Sequence, residues 1–174
     1  MRDALDRSGL DRYGCRMSTF TARDPDYEER VRSSFARQAA MHTLGVTIER
    51  IAPGEVDLAL PYRADLTQQH GFLHAGVATA VIDSACGYAA LSLMEPGAAV
   101  LSVEFKVQLL APAKGDRFRA QGRVIRAGRT LSVVAGELRA FAHSAERVQH
   151  DEGELVTMLT GTMMTVRGRP ELVD

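Results

Sequence analysis

One stretch limits what this chain can become: Gln68-Gln69-His70-Gly71-Phe72-Leu73-His74-Ala75-Gly76-Val77, continuing through Asp83 to Tyr88. It reads as a tight polar loop opening into a helix that is apolar nearly all round, predicted from about Leu73 to Leu93. From Gly76 to Leu93 the only charge is Asp83. A helix hydrophobic on every side belongs in an interior, and an acid there is costly unless it has partners. Positions three or four apart share a helix face, so Gly76, Thr79, Asp83, Gly87 and Ala90 line one stripe with the carboxylate at its centre. Flanking residues that small let another surface, or a substrate, approach it. Two readings stay open: an Asp satisfied by neighbouring backbone, and a reactive carboxylate of the kind that clusters at functional sites.

Around this helix the chain changes period. Residues 1–23 carry many charges and no periodicity, which predicts a disordered tail, and 24–174 then form one domain. At Asp24-Pro25-Asp26 a helix start is expected, with Asp24 as N-cap and Pro25 at the first helical position. Tyr27, Val31, Phe35 and Ala39 carry that helix to about Met41, covering a sheet edge or a pocket mouth. Val46 and Ile48, then Val56, Leu58 and Leu60, alternate with polar neighbours on either side of Pro53-Gly54 and predict a strand pair. The long helix ends before Glu95-Pro96-Gly97. Leu101, Val103, Phe105, Val107 and Leu109 then alternate with Ser102, Glu104, Lys106 and Gln108, and are expected to face the helix together. Three more strands are expected: around Phe118–Val124, from Leu131 to Phe141, and from Leu155 to Val166. The polar run from His143 to Glu154 is read as an exposed connection. One helix beside a run of antiparallel strands gives an α+β chain, a curved sheet wrapped around that helix.

Composition narrows the function classes. With 174 residues, 45% hydrophobic and 25% charged, the chain has enough material for one core. Lys plus Arg total 21 against 22 Asp plus Glu, so no global charge points to nucleic acid or an anionic membrane. No apolar run is long enough to span a bilayer, and the charged N-terminus does not read as a secretory signal. Cys15 and Cys86 are too few for a disulfide framework, which fits a reducing cytoplasm.

The order of elements, with His74-Ala75-Gly76-Val77 followed nine residues after His74 by Asp83-Ser84-Ala85-Cys86-Gly87, resembles the hotdog-fold acyl-CoA thioesterases of the phenylacetate-pathway type. The resemblance runs from about residue 42 to 166, through Leu101-Ser102-Val103-Glu104-Phe105, Pro112-Ala113-Lys114-Gly115-Asp116 and Gly128-Arg129-Thr130-Leu131. It implies a hotdog fold, hydrolysis of acyl-CoA to free acid and coenzyme A, no cofactor, and self-association as a dimer or tetramer. It further implies Asp83 as the catalytic carboxylate, the backbone N–H of Ala75, with Gly76 beside it, as the donors that hold the thioester carbonyl, and Gln68 as the loop residue that positions water, with Gln69 the adjacent alternative. Two positions depart from the family pattern. Ala75 replaces the usual first Gly, which disfavours φ > 0 there, and Gln68 stands where Asn is also found, one methylene longer.

Thioester hydrolysis needs an activated water or nucleophile and a donor for the oxyanion. Free backbone N–H groups at the start of the long helix favour negative charge. Asp83 lies about two turns further, roughly 10 Å along the axis at 1.5 Å per residue, too far to share one carbonyl with them in a single subunit. A two-fold dimer that sets one helix start against the other subunit's Asp83 resolves this, with Asp83 as base or as nucleophile. His74 either orients the loop and touches substrate or is a structural loop histidine. His70 and His74 have a spacing that can hold a metal on a helix, but with no third ligand nearby none is assigned. Ser102 bonds near the scissile group by family analogy, or is a polar outer-face residue. Cys86 reads as core packing, because no His or Asn pattern accompanies it. Between Lys114 and Arg129 six basic residues face one acid. They are either a solvated sheet face or a landing site for the coenzyme A phosphates, with Arg129 the leading contact and Gly128 and Thr130 its turn neighbours. A hydratase of this fold wants an Asp–His pair that is absent. The competing class is a non-catalytic acyl-CoA-binding or regulatory module, which has no need to bury Asp83.

Overall fold

The computed structural model describes residues 20–142, 152–169, 171, 172 and 174. Most of the expected tail and nearly all of the His143–Glu154 connection therefore lie outside the described residues. The elements run α1 (Tyr27–Ala36), α2 (Ala39–Leu44), β1 (Thr47–Ala52), β2 (Glu55–Pro61), a short 3-10 turn (Ala64–Leu66), α3 (Ala75–Leu91), β3 (Ala99–Leu109), β4 (Arg117–Ala127), β5 (Leu131–Phe141) and β6 (Glu154–Val166). All pairings are antiparallel, in one six-stranded sheet ordered β1-β2-β4-β5-β6-β3. This is the expected hotdog arrangement, with α3 lying across the sheet. No helix among the described residues is long and apolar enough to cross a membrane.

The seat of α3 is set by two glycines. Gly122 on β4 faces Gly136 on β5. A Cβ at Gly122 would fall 2.3 Å from the Ala85 carbonyl carbon, and one at Gly136 would fall 2.3 Å from Ile82 Cγ2. Helix backbone rests directly on strand backbone at Gly122, and the Ile82 and Cys86 side chains fill the place of a side chain at Gly136, which only glycine permits. Val81, Ile82, Ala85, Cys86 and Ala89 fill the interface and are fully buried, together with Leu58, Leu60 and Leu138. Cys86 is core, as its surroundings in the sequence imply, and burial pushes its thiol pKa up to about 12. The helix is not covered on every side. Gly76, Val77, Thr79, Ala80, Asp83 and Gly87 stay open, and they follow the three- and four-residue spacing of a single stripe.

Three expectations are corrected. The N-terminal helix is two helices, broken at Arg37 and Gln38, and it starts at Tyr27 after Asp26. Asp24 sits one step earlier: its Oδ1 accepts from Asp26 N–H at 2.9 Å and it pairs with Arg30 at 3.3 Å. Arg30 in turn donates to the carbonyls of Leu91, Met94 and Glu95 at 2.9, 2.7 and 2.6 Å, so a cation closes the C-terminal end of α3. The third correction concerns β3. Its register with β6 shifts between Ser102 and Glu104, a bulge that reverses the alternation. Ser102 thereby faces the helix, Leu101 stands opposite Met164 and is 42% exposed, and Val103 is 53% exposed. Beyond the bulge Phe105 and Val107 lie opposite Gly161 and the core residue Leu159, as the pattern predicts, and Glu104 turns to Thr162. β3 is also an edge strand, which leaves Phe105 and Leu109 43% and 60% exposed.

Removing Arg30 takes the cation from Asp24 and a donor from three carbonyls, of which those of Leu91 and Glu95 keep the N–H groups of Met94 and Ala98. Arg30→Ala is expected to cost about 2–4 kcal/mol of unfolding free energy, the range for losing one member of a buried charged network. Urea denaturation measures this, and a change within experimental error would contradict the assigned role.

A second buried acid gives a pH test. Asp57 points away from the core but is only 7% exposed, opposite Arg50 on β1 and Gln121 on β4. Burial is the largest influence and pushes its pKa to about 6, against the lowering effect of Arg50, Arg119 and Gln121. A raised acid pKa means the native state binds more protons than the unfolded chain in this window. Stability therefore falls as pH rises from about 4 to about 6, by on the order of 2–3 kcal/mol from this group. Asp57→Asn should be increasingly stabilising relative to the parent across that window, and a pH-independent difference would contradict it.

Candidate active site

Asp83 reaches the open stripe because α3 presents position 83 between the small residues Thr79 and Gly87. Ser102, brought inward by the β3 bulge, donates its hydroxyl to Asp83 Oδ1 at 2.7 Å. Two influences act on the carboxyl: desolvation by burial, which raises its pKa and is the larger, and the Ser102 hydrogen bond, which lowers it. The net shift is upward. A cavity of about 320 Å3 opens beside them, and its walls include Gln38, Ser84, Gly87, Tyr88 and Ser102. Gln38, at the break between α1 and α2, closes one side: its Nε2 donates to Ser84 Oγ at 3.2 Å and its Oε1 accepts from the Tyr88 hydroxyl at 3.3 Å. The N-terminal helices thus cover a pocket mouth, one of the two roles expected of them.

The other half of the expected site lies at the start of α3. His74 is the N-cap, and its Nδ1 accepts from Gly76 N–H at 2.9 Å, which places the proton of the neutral ring on Nε2. The Gly76 donor is thereby engaged within the cap. Ala75 is the first helical residue, and its N–H has no acceptor within the helix. Gln68 is folded into the loop, its Oε1 accepting from His70 N–H, while Gln69 Nε2 lies 3.4 Å from His70 Nε2 on the exposed side. Gln68 and Ala75 line a second cavity of about 470 Å3, largely apolar, with Phe72, Ala78, Leu109 and Pro112. Asp83 and Ser102 are not among its walls.

The turn at Gly128-Arg129-Thr130 is at neither cavity. Gly128 lies by the C-terminal end of α3, in a hollow with Phe20, Leu93 and Met94. Arg129 is exposed and its carbonyl accepts from Arg167 at 2.7 Å, while the Thr130 carbonyl accepts from Thr165 N–H at 2.8 Å. One chain therefore brings Asp83 to Ser102 and Gln68 to Ala75, but keeps the two pairs, and the turn, apart.

Sequence reasoning missed Gln38, Tyr88 and Ser34 as cavity residues. A signal existed for Ser34: it sits three after Val31 and beside Phe35, on the face of α1 that buries, where a hydroxyl needs a partner.

A model of the family described as "Thioesterase superfamily" matches residues 70–143. A thioesterase family protein of Silicibacter pomeroyi has 50% sequence identity, with a TM-score of 0.76 over 82% of this chain and 99% of that one. The E. coli PaaI protein from the phenylacetic acid degradation operon shares the fold at 19% identity, with a TM-score of 0.72 over 86% of this chain and 97% of its own. Among curated proteins, one from Halobacterium salinarum with a provisional esterase name is 40% identical over 96 residues, 52% of this chain and 63% of that protein. Human acyl-coenzyme A thioesterase 13 is 29% identical over 94 residues, 53% of this chain and 66% of that protein. The chain thus spans about two thirds of the length of these curated relatives.

The Ser102 hydroxyl opposes the effect of burial on Asp83. Ser102→Ala is expected to move the Asp83 pKa further upward, and with it the acid limb of any Asp83-dependent pH–rate profile. A profile unmoved by the substitution would show that Ser102 does not stabilise the ionised acid.

Proposed function

The chain belongs to the thioesterase superfamily, a family of thioester hydrolases, and on that premise we propose that it hydrolyses acyl-CoA thioesters at a site assembled across a homodimer. The observation that carries this is the split: one cavity holds Asp83 and Ser102, the other Gln68 and Ala75. Each lacks what the other has, and the stripe of α3 bearing Asp83 is left open in a single chain. A partner seated over the open stripe and the exposed β3 edge would set its helix start against this chain's Asp83, and would cover Leu101, Phe105 and Leu109.

At such a site the thioester carbonyl oxygen accepts from the Ala75 N–H at the positive end of α3. Ser102 holds Oδ1 of Asp83, which leaves Oδ2 for a water positioned by Gln68. Asp83 takes the water proton as oxygen adds to the carbonyl carbon. The C–S bond then breaks, and the proton passes to the departing coenzyme A sulfur, leaving the free acid. The raised pKa of Asp83 suits this, since a stronger base shares the proton better. His74 orients the loop by holding Gly76. We assign the coenzyme A phosphates to the Gly128-Arg129-Thr130 turn, which is exposed and carries a guanidinium suited to them. A reducing cytoplasm, where acyl-CoA occurs, fits the reading.

Asp83→Asn keeps the shape and removes the base. Thiol release from acyl-CoA should fall in kcat by on the order of 10²–10⁴, with KM little changed and the melting temperature equal or higher. Near-normal turnover would remove Asp83 from the mechanism and favour a non-catalytic acyl-CoA-binding module. If Arg129 meets a phosphate, Arg129→Ala should raise KM for acyl-CoA and spare a truncated thioester that lacks the nucleotide, as lost uniform binding does. Equal effects on both substrates would show that it makes no nucleotide contact.

A further inference from the structure

The cavity beside Asp83 has a second polar end. There the side chain of Asp174 is held by two donors: the Ser34 hydroxyl gives to Oδ1 at 2.7 Å, and the Val100 backbone N–H gives to Oδ2 at 2.8 Å. Ser34 is only 6% exposed, and it lines the same cavity as Asp83, Arg37 and Tyr88. Two donors converging on the two oxygens of one group select a carboxylate, because a hydroxyl oxygen would leave one of them unmet. Arg37 supplies positive charge in the same wall. Tyr88, beside this end, stands five residues after Asp83, about 7.5 Å further along α3, a span suited to a short diacid chain.

The geometry points to the cavity beside Asp83 as the place of the acyl chain, and to Ser34 Oγ and Val100 N–H as a carboxylate subsite at its far end, which Asp174 fills in the free chain and the distal carboxylate of a dicarboxylyl thioester fills in the complex. This inference rests on the acyl-CoA reading and adds the substrate class. It also explains why the cavity is lined by Gln38, Ser84 and Tyr88 hydroxyl and amide groups where a long alkyl chain would want apolar walls.

The test compares glutaryl-CoA with pentanoyl-CoA, matched in length and differing in the distal carboxylate, on the full chain and on Ser34→Ala and Asp174→Ala. Thiol release gives kcat/KM, and calorimetric titration gives Kd. The parent should favour glutaryl-CoA by about tenfold or more, the size of a charge-assisted hydrogen bond. Ser34→Ala should lose that preference on glutaryl-CoA alone, with its melting temperature recorded as a folding control. Asp174→Ala should improve glutaryl-CoA severalfold by removing the internal competitor and leave pentanoyl-CoA unchanged. A parent that treats both thioesters alike, a Ser34→Ala loss equal on both, or an Asp174→Ala variant that weakens glutaryl-CoA would overturn the subsite. Selective glutaryl-CoA binding, lost in Ser34→Ala but without thiol release, would uphold the subsite and sink the hydrolase reading. Thiol release without selectivity would do the reverse.

Discussion

The contact between α3 and the glycine pair of the sheet governs the rest of the molecule. Because Gly122 lets the helix backbone at Ala85 come within contact of β4, and Gly136 leaves room for the Ile82 and Cys86 side chains over β5, Ile82, Ala85 and Cys86 are pressed into the sheet with no room to rotate the helix. That fixes which face turns away. Asp83 is on that face, along with Gly76, Thr79 and Gly87, so the carboxylate is half-buried by the fold and reachable at once. A side chain at Gly122 would lift or turn the helix and move Asp83 relative to Ser102. The site is thus an outcome of helix–sheet packing rather than of a loop draped over it.

Burial alone does not distinguish the two raised carboxylates. Asp57 is the more buried by exposure and has a pKa of about 6, yet it is walled in by Arg50, Arg119 and Gln121 on a sheet face. Asp83 has one neutral partner, Ser102, and a cavity at its side. The first acid faces Arg50 and Arg119, countercharges that favour its ionised form. The second is held at one oxygen by a hydroxyl and lies beside a cavity. The difference is in what faces the group, not in how far its pKa moves.

Most of the architecture was legible because the periods are strong. The apolar run from Val77 to Leu91 has a single charge, and the inward residues Val56, Leu58, Leu60, Phe118 and Ala120 alternate cleanly. The β3 bulge was not legible: an unbroken alternation from Leu101 to Leu109 gives no hint that one residue will be left unpaired opposite β6. The position of Asp83 was readable from a lone acid in an apolar helix, and its partner Ser102 only as a resemblance. Ser34 and Gln38 come to the cavity by tertiary packing of the N-terminal helices beside α3, Val100 comes from β3, and a backbone N–H such as that of Val100 carries no sequence signature at all. The separation of Ala75 from Asp83 was expected from the rise of a helix, since that distance is set by geometry that no side chain can alter.

The central claim is that Asp83 and the Ala75 N–H act on the same carbonyl from different subunits. His74 is extended at φ −64 and ψ 135, a conformation compatible with a following proline, and the first helical position accepts one. Ala75→Pro therefore removes the donor and keeps the helix. It should lower kcat by about 10²–10³, as loss of an oxyanion donor does, and Asp83→Asn should be at least as impaired. Unfolding the two variants together and refolding the equal mixture makes about half of the dimers mixed, each with one intact site, so thiol release should return to on the order of a quarter of the parent's specific activity. Activity that stays at the level of the separate variants, in a mixture shown to contain mixed dimers, would contradict the account, because it would place both groups of each site in one chain.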